Sequence, residues 1–303
     1  MPRRMEGQDW AMLLSLALVF GSAFFFVKIG LRSYGPLTVA CGRVVIAAVL
    51  LSAITLLRGR RVPREPGVWL AFLAMGALNN AIPFGLISWS QTRIDSGVAA
   101  ILNATTPIFT VLLAHLVGDE PLTVRRLAGV GIAFLGVGLL IGPGALARLD
   151  PTDLAELAVL AAGCCYACAG LWGRRFRALP TEVAAAGMLV GSSAILLPLA
   201  LGLEHPWSVV PSRASLAAIA GLAVFSTAIA YLLYFRLLAR VGATNLLLVT
   251  FLLPVVALAL GTLILGEQVQ PFDLLGLGLI LAGLAAIDGR LLARSAPREI
   301  TAT

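Results

Sequence analysis

Charge is scarce in this chain: only 12% of its 303 residues are charged, against about 25% in an ordinary globular domain. A single lysine, Lys28, is followed by Ile29, which excludes a Walker A phosphate loop and ATP as the energy source. Two histidines, His115 and His205, cannot supply an H-E-x-x-H zinc site, and no G-x-S-x-G nucleophile elbow occurs. Gly129-Val130-Gly131 leads to Phe134 where a dinucleotide fingerprint needs glycine. The four cysteines build no disulfide framework. Cys165-Tyr166-Ala167-Cys168 has redox or zinc spacing but lies inside an apolar run without a second ligand pair, so the cysteines read as small packing residues. Without a convergent nucleophile, acid pair or metal set, the sequence points away from an enzyme and asks for no cofactor.

What replaces charge is apolar surface. The chain is 59% hydrophobic, with a mean hydropathy of +0.97, above the roughly 45–50% apolar share of globular domains. A net charge of +7 would fit nucleic acid if it were gathered on one water-facing surface. Here the basic residues fall between long apolar runs, so no nucleic-acid partner is expected and the lipid bilayer is the solvent. A bilayer core of about 30 Å needs roughly 20 apolar residues per helix. Runs broken at Pro, Gly and charge give ten spans, at 9–30, 36–57, 67–91, 95–117, 122–142, 153–173, 181–202, 213–235, 243–265 and 271–291. The first exceeds a signal-peptide core and lacks a small-x-small site, so it reads as a retained helix.

Cytoplasmic loops carry excess Lys and Arg. On the ten-span reading, sixteen basic residues fall on the side of the N-terminus, five on the other, and Arg43 alone lies well within a span. Both termini are then cytoplasmic.

The halves match at an ungapped offset of 147 residues: Arg93 falls on Arg240, Pro107 on Pro254, Glu120 on Glu267, and Gly129, Gly131, Gly136 and Gly142 on Gly276, Gly278, Gly283 and Gly289. Five spans per half, an odd number, turn the second half upside down. The expected organisation is repeat 1 over 1–145 and repeat 2 over 150–303, an all-α integral membrane fold of two inverted five-helix repeats around a central cavity. Inverted repeats build secondary transporters with the substrate between the halves and alternating access as the mechanism.

The stretch Ser96-Gly97-Val98-Ala99-Ala100-Ile101-Leu102-Asn103-Ala104-Thr105-Thr106-Pro107 with Asp119-Glu120 resembles the EamA-type transporters of the drug/metabolite transporter superfamily. Leu253-Pro254 and Leu265-Gly266-Glu267 repeat the pattern, and Arg43 matches an arginine typical of the family's second span. The resemblance implies a cavity lined mainly by spans 1, 3, 4, 6, 8 and 9, and export of small metabolites such as amino acids. Export of nucleosides or drug-like amphiphiles is the alternative, and an intramembrane lipid-handling protein a remoter one.

Polar groups within a bilayer are costly unless they face a cavity or another helix. Span 3 carries Asn79 and Asn80 before Pro83, whose missing N–H frees the carbonyl one turn back. Span 8 carries Ser226 and Thr227 at the offset positions, then Tyr231. Asn103 in span 4 maps onto Thr250 in span 9, and Ser22 and Tyr166 add hydroxyls from spans 1 and 6. These ten residues are the candidate substrate contacts, with helix-to-helix hydrogen bonding as the competing role. Arg43 has three readings open: snorkelling outward, capping another helix's carbonyls, or holding a substrate carboxylate. Lys28 reads as an interface anchor, and Glu120 and Glu267 as caps of the helices that follow them. No acidic residue lies mid-span, so facilitated or exchange transport fits as well as proton antiport, and proton coupling stays open. The expected location is the cell inner membrane.

Overall fold

Why each helix starts where it does is written largely in proline and in borrowed side chains. The computed structural model describes residues 6–117, 123–141, 151–176, 178–246 and 248–288. Among these residues every regular element is helical. Helix α1 spans Gly7–Gly30 and α2 spans Pro36–Leu57. The third run is α3, Pro66–Gly76, a π-helical turn at Ala77–Ala81, then α4, Ile82–Ser90. The fourth is broken into α5, Ser96–Asn103, and α6, Thr106–Leu116. Then come α7, Val124–Ile141, α8, Pro151–Trp172, and α9, Thr181–Glu204. Helix α10, Arg213–Ala223, passes through a second π turn at Val224–Ile229 into α11, Ala230–Leu246. Helix α12, Leu248–Leu260, ends in a third π turn at Gly261–Leu265, and α13 covers Pro271–Asp288. Prolines stand in the first turn of α2, α3 and α6, where the fixed φ suits the helix and the lost N–H would have no intrahelical partner; Pro83 instead follows directly on the first π turn.

Eight of the expected spans are long and apolar enough to cross a bilayer: Gly7–Gly30, Pro36–Leu57, Pro66–Ser90, Ser96–Leu116, Thr152–Phe176, Thr181–Glu204, Arg213–Leu238 and Leu248–Leu265. The protein is a multi-span membrane protein. The fifth and tenth runs are α7 and α13, each 18 residues long. Large apolar side chains such as Leu14, Leu18, Val49, Leu70, Leu135 and Ile264 are exposed, as on a surface solvated by lipid rather than water.

The two halves interlock. Helix α1 lies against α10, α11 and α12, while α8 lies against α4, α5 and α6. Helix α2 pairs with α9, and α7 with α13. Small residues permit the closest crossings. A Cβ on Gly129 would stand 2.7 Å from the Gly283 carbonyl oxygen, and one on Gly136 would stand 2.7 Å from that of Gly276. Glu204, the last residue of α9, accepts from Leu37 N–H at 2.9 Å and Thr38 N–H at 2.7 Å, capping α2. Ser212 accepts from Ser215 N–H at 3.1 Å at the start of α10, and the Ser215 hydroxyl donates to Ile29 O at 2.9 Å.

Candidate functional site

Two of the π turns fall on the residues that sequence reading marked as polar within a span. Ala77–Ala81 carries Asn79 and Asn80, and Val224–Ile229 carries Ser226 and Thr227. The first begins 147 residues before the second, the same offset that relates the halves. A π turn inserts one residue into the helical ladder and is enriched at functional positions. In span 3 the cause is Pro83: with no N–H there, the ladder widens so that Ile82 N–H reaches Ala77 O. Span 8 has alanine at the equivalent position 230, and side chains hold the widened turn instead. Thr227 Oγ1 donates to Leu222 O at 3.0 Å, five residues back, and an Arg43 terminal N–H donates to Ser226 O at 3.2 Å.

The polar side chains meet between the halves. The Tyr231 hydroxyl donates to Asn80 Oδ1 at 2.9 Å, and Asn79 Nδ2 lies 3.3 Å from that hydroxyl and 3.2 Å from Asn80 Oδ1. Asn80 is fully buried and its Nδ2 donates to Ser192 Oγ on α9 at 3.3 Å. Ser22 Oγ on α1 sits 3.3 Å from Ser226 Oγ. Arg43 Nε donates to Thr227 Oγ1 at 2.8 Å, and its guanidinium carbon stands 3.6 Å over the Phe84 ring. Arg43 thus takes the carbonyl-capping role. Pro83 is buried in the first turn of α4.

The remaining candidates make no hydrogen bond to this network. Tyr166 packs against the apolar cluster of α2 and α9 that also contacts Tyr231, and against the larger cluster around α5, α7 and α13. Asn103 ends α5 at the break, and its Oδ1 is buried without a hydrogen-bond partner. Thr250 is half-buried on α12 and makes no hydrogen bond to the other candidates. Ser192 was not foreseen. The usable signal was the same as for the others, a hydroxyl in mid-span beside Gly187 and Gly191, whose close approach to α3 brings it under Asn80.

A cavity of about 440 Å³ reaches Tyr231 and Ile229 from the end of the bundle marked by Arg58, Glu182 and Arg236. At that end Arg58 pairs with Glu182 at 2.7 Å and Arg240 with the buried Asp9 at 2.8 Å. The opposite end is tied differently. Lys28 Nζ, expected as an interface anchor, donates to Gln91 O at 3.0 Å and Ile94 O at 2.8 Å, 3.8 Å from Asp95. Burial, then the neighbouring Glu267 charge, pushes the Asp95 carboxyl above the usual range, and Lys28 only partly offsets this.

Glu267 does not cap the helix that follows it. Gly266, at φ +73°, turns the chain back, and Glu267 accepts from Ser96 N–H at 2.9 Å, Ser96 Oγ at 2.7 Å and Gly97 N–H at 3.3 Å. It therefore caps α5 in the other half. Helix α13 has its own acid, Asp273, accepting from Gln270 N–H at 2.8 Å. Glu120 lies outside the described residues. Among the described residues no group of three metal-ligating side chains gathers.

The EamA-like transporter family model matches residues 10–142 and 153–287. The chain belongs to the EamA-like transporter family. It is 28% identical to the uncharacterized inner membrane transporter YedA of Escherichia coli K12, over 91% of this chain and 89% of that one. It is 29% identical to a probable terminal-alkyne amino-acid exporter of Streptantibioticus cattleyicolor, over 94% of each chain. A probable amino-acid metabolite efflux pump of Escherichia coli K12 is 26% identical, over 92% of this chain and 94% of that one. A solved crystal structure shares the fold with a TM-score of 0.68 at 20% identity, covering 96% of this chain and 99% of the other. The protein is thus a multi-span membrane transporter of this family.

Proposed function

We propose that this EamA-family protein exports small metabolites, amino acids foremost, by alternating access between two inverted five-helix repeats in a ten-span bundle with both termini cytoplasmic. The observation that carries the reading is the hydrogen-bonded set built on two π turns at repeat-equivalent positions, where Asn79 and Asn80 of one half meet Tyr231 of the other. Discontinuous helices with freed backbone groups at the repeat interface are where such carriers bind their cargo. The α5–α6 break beside Asn103 adds a third discontinuity.

The symmetry has support in the packing. Under the 147-residue offset, α1 against spans 8 and 9 becomes α8 against spans 3 and 4, and both sets of contacts occur. The pairs α2–α9 and α7–α13 join equivalents, and the glycine contacts cross over: Gly129 meets Gly283, the equivalent of Gly136, while Gly136 meets Gly276, the equivalent of Gly129. On this reading the cavity at Arg58, Glu182 and Arg236 is the cytoplasmic vestibule, and the Lys28 and Glu267 contacts close the outer side. The names of two relatives as amino-acid exporters or efflux pumps favour amino acids.

The test is efflux from liposomes holding the purified protein and loaded with labelled amino acids and nucleosides, with and without a pH gradient. Release of amino acids, lost in Asn79→Ala/Asn103→Ala, supports the reading. Release of nucleosides alone redirects the substrate class, and no release by folded protein refutes it. Dependence on the pH gradient decides coupling.

A further inference from the structure

The cation in mid-helix is only half answered by the protein. Arg43 is the eighth residue of α2, so it lies about 10 Å along the helix at 1.5 Å per residue. A guanidinium carries five N–H donors and stays charged at any physiological pH. Two of them are used, by Thr227 Oγ1 and Ser226 O. The other three meet no acceptor among the described residues, and one face of the group is covered by Phe84. Neither bonded acceptor carries charge. No carboxylate forms an ion pair with Arg43 among the described residues, in contrast to Lys28 with Asp95, Arg58 with Glu182 and Arg240 with Asp9. The carboxylate placed against α2, Glu204, is held by Leu37 and Thr38 N–H at the helix start, five to six residues or about 8–9 Å of helix away.

An ion removed from water without a counter-ion is expensive, and capping one carbonyl does not require a full positive charge. Two hydroxyls stand beside the same turn, with Ser22 Oγ 3.3 Å from Ser226 Oγ. On α5, which packs against α1 rather than α2, Asn103 Oδ1 is a second buried polar atom without a partner. Three unfilled donors on a cation in mid-helix describe a ligand with an anionic end.

We infer that Arg43 binds the carboxylate of the transported compound, so that the free carboxylate, rather than the side chain, is the obligatory recognition element. The inference rests on the export reading and names the chemistry of its cargo. An arginine–carboxylate pair is charge-assisted and can be bidentate, and a hydrogen bond to a charged group contributes enough that losing the charge weakens binding by about 10- to 100-fold.

The experiment is competition against efflux of a labelled neutral amino acid from proteoliposomes, using L-leucine and L-phenylalanine as probes. Each competes as the free acid, as the N-acetyl acid, as the amide and as the decarboxylated amine. The expected result is competition by both acids and a loss of about 10-fold or more for amide and amine. Arg43→Lys keeps the acid preference at reduced affinity, and Arg43→Gln abolishes the preference. Transport in which amides compete as well as acids overturns the inference while leaving the export reading intact. Because this comparison is made on the wild-type protein, a misfolded Arg43→Gln does not rescue the inference. Failure of every amino acid to move refutes the export reading and this inference with it.

Discussion

Glu267→Gln tests how the two halves are fastened at the side opposite Arg58 and Glu182. The carboxylate accepts three hydrogen bonds at the first turn of α5, from Ser96 N–H, Ser96 Oγ and Gly97 N–H. The amide keeps its carbonyl for Ser96 N–H, and Ser96 Oγ can rotate to accept from the new NH₂. Gly97 N–H then faces a donor, and the negative charge at the helix N-terminus is gone. One charge-assisted bond is worth about 1.5–3 kcal/mol, and the helix-end charge about 0.3–1 kcal/mol. A loss of about 2–4 kcal/mol follows on that scale. It is read as the shift in reversible SDS or urea unfolding in micelles, followed by tryptophan fluorescence. A cycle with Ser96→Ala separates this cap from any other role of Glu267, with an expected coupling of at least about 1 kcal/mol for two groups in direct contact. Additive single mutants, or a Glu267→Gln protein within about 0.5 kcal/mol of wild type, would refute the cross-half cap.

At the α7–α13 crossing, Gly136→Val places a side chain against the Gly276 carbonyl and should destabilise by about 1–3 kcal/mol. Gly131→Ala and Gly138→Ala, whose added carbons meet nothing within 4 Å, should instead be neutral or gain up to about 1 kcal/mol; thermal unfolding compares the three. Asn80→Leu removes the acceptor of the Tyr231 hydroxyl and the donor to Ser192 Oγ and should cut efflux at least tenfold, while Tyr231→Phe, which leaves the Asn79–Asn80 bond, costs less; equal losses would contradict the network. The Asp95 carboxyl is raised in the folded state by burial and by Glu267. The fold therefore binds its proton more readily than the unfolded chain, and the cost of the ionised form is present above the folded value and disappears as pH falls through it. Asp95→Asn should accordingly be more stable than wild type at neutral pH and converge with it in acid; the reverse order at neutral pH would show the Lys28 contact winning.

Periodic lack of charge fixes which segments leave water, so the apolar runs were readable without any structure, although the eighth helix runs on to Leu246, past the expected 235, and the ninth begins at Leu248 rather than 243. So was the 147-residue correspondence, because a repeated Pro, Glu and Arg survive in the one-dimensional string. Asn79, Asn80, Ser226, Thr227 and Tyr231 were readable for the same reason: a polar group in an apolar run has to be satisfied by something. What satisfies it is a property of the crossing, not of the run. Ser192 enters the network only because Gly187 and Gly191 let α9 come close to α3. Glu267 reaches α5 rather than its own next helix because a left-handed Gly266 reverses the chain after the third π turn. Lys28 finds backbone carbonyls because α4 happens to end beside it. The second π turn has no proline to announce it and is held by Thr227 and by Arg43 from another helix. Sequence decides which groups must find partners in the membrane; the packing of one half against the other decides which partners they find, because those contacts join residues up to 231 positions apart.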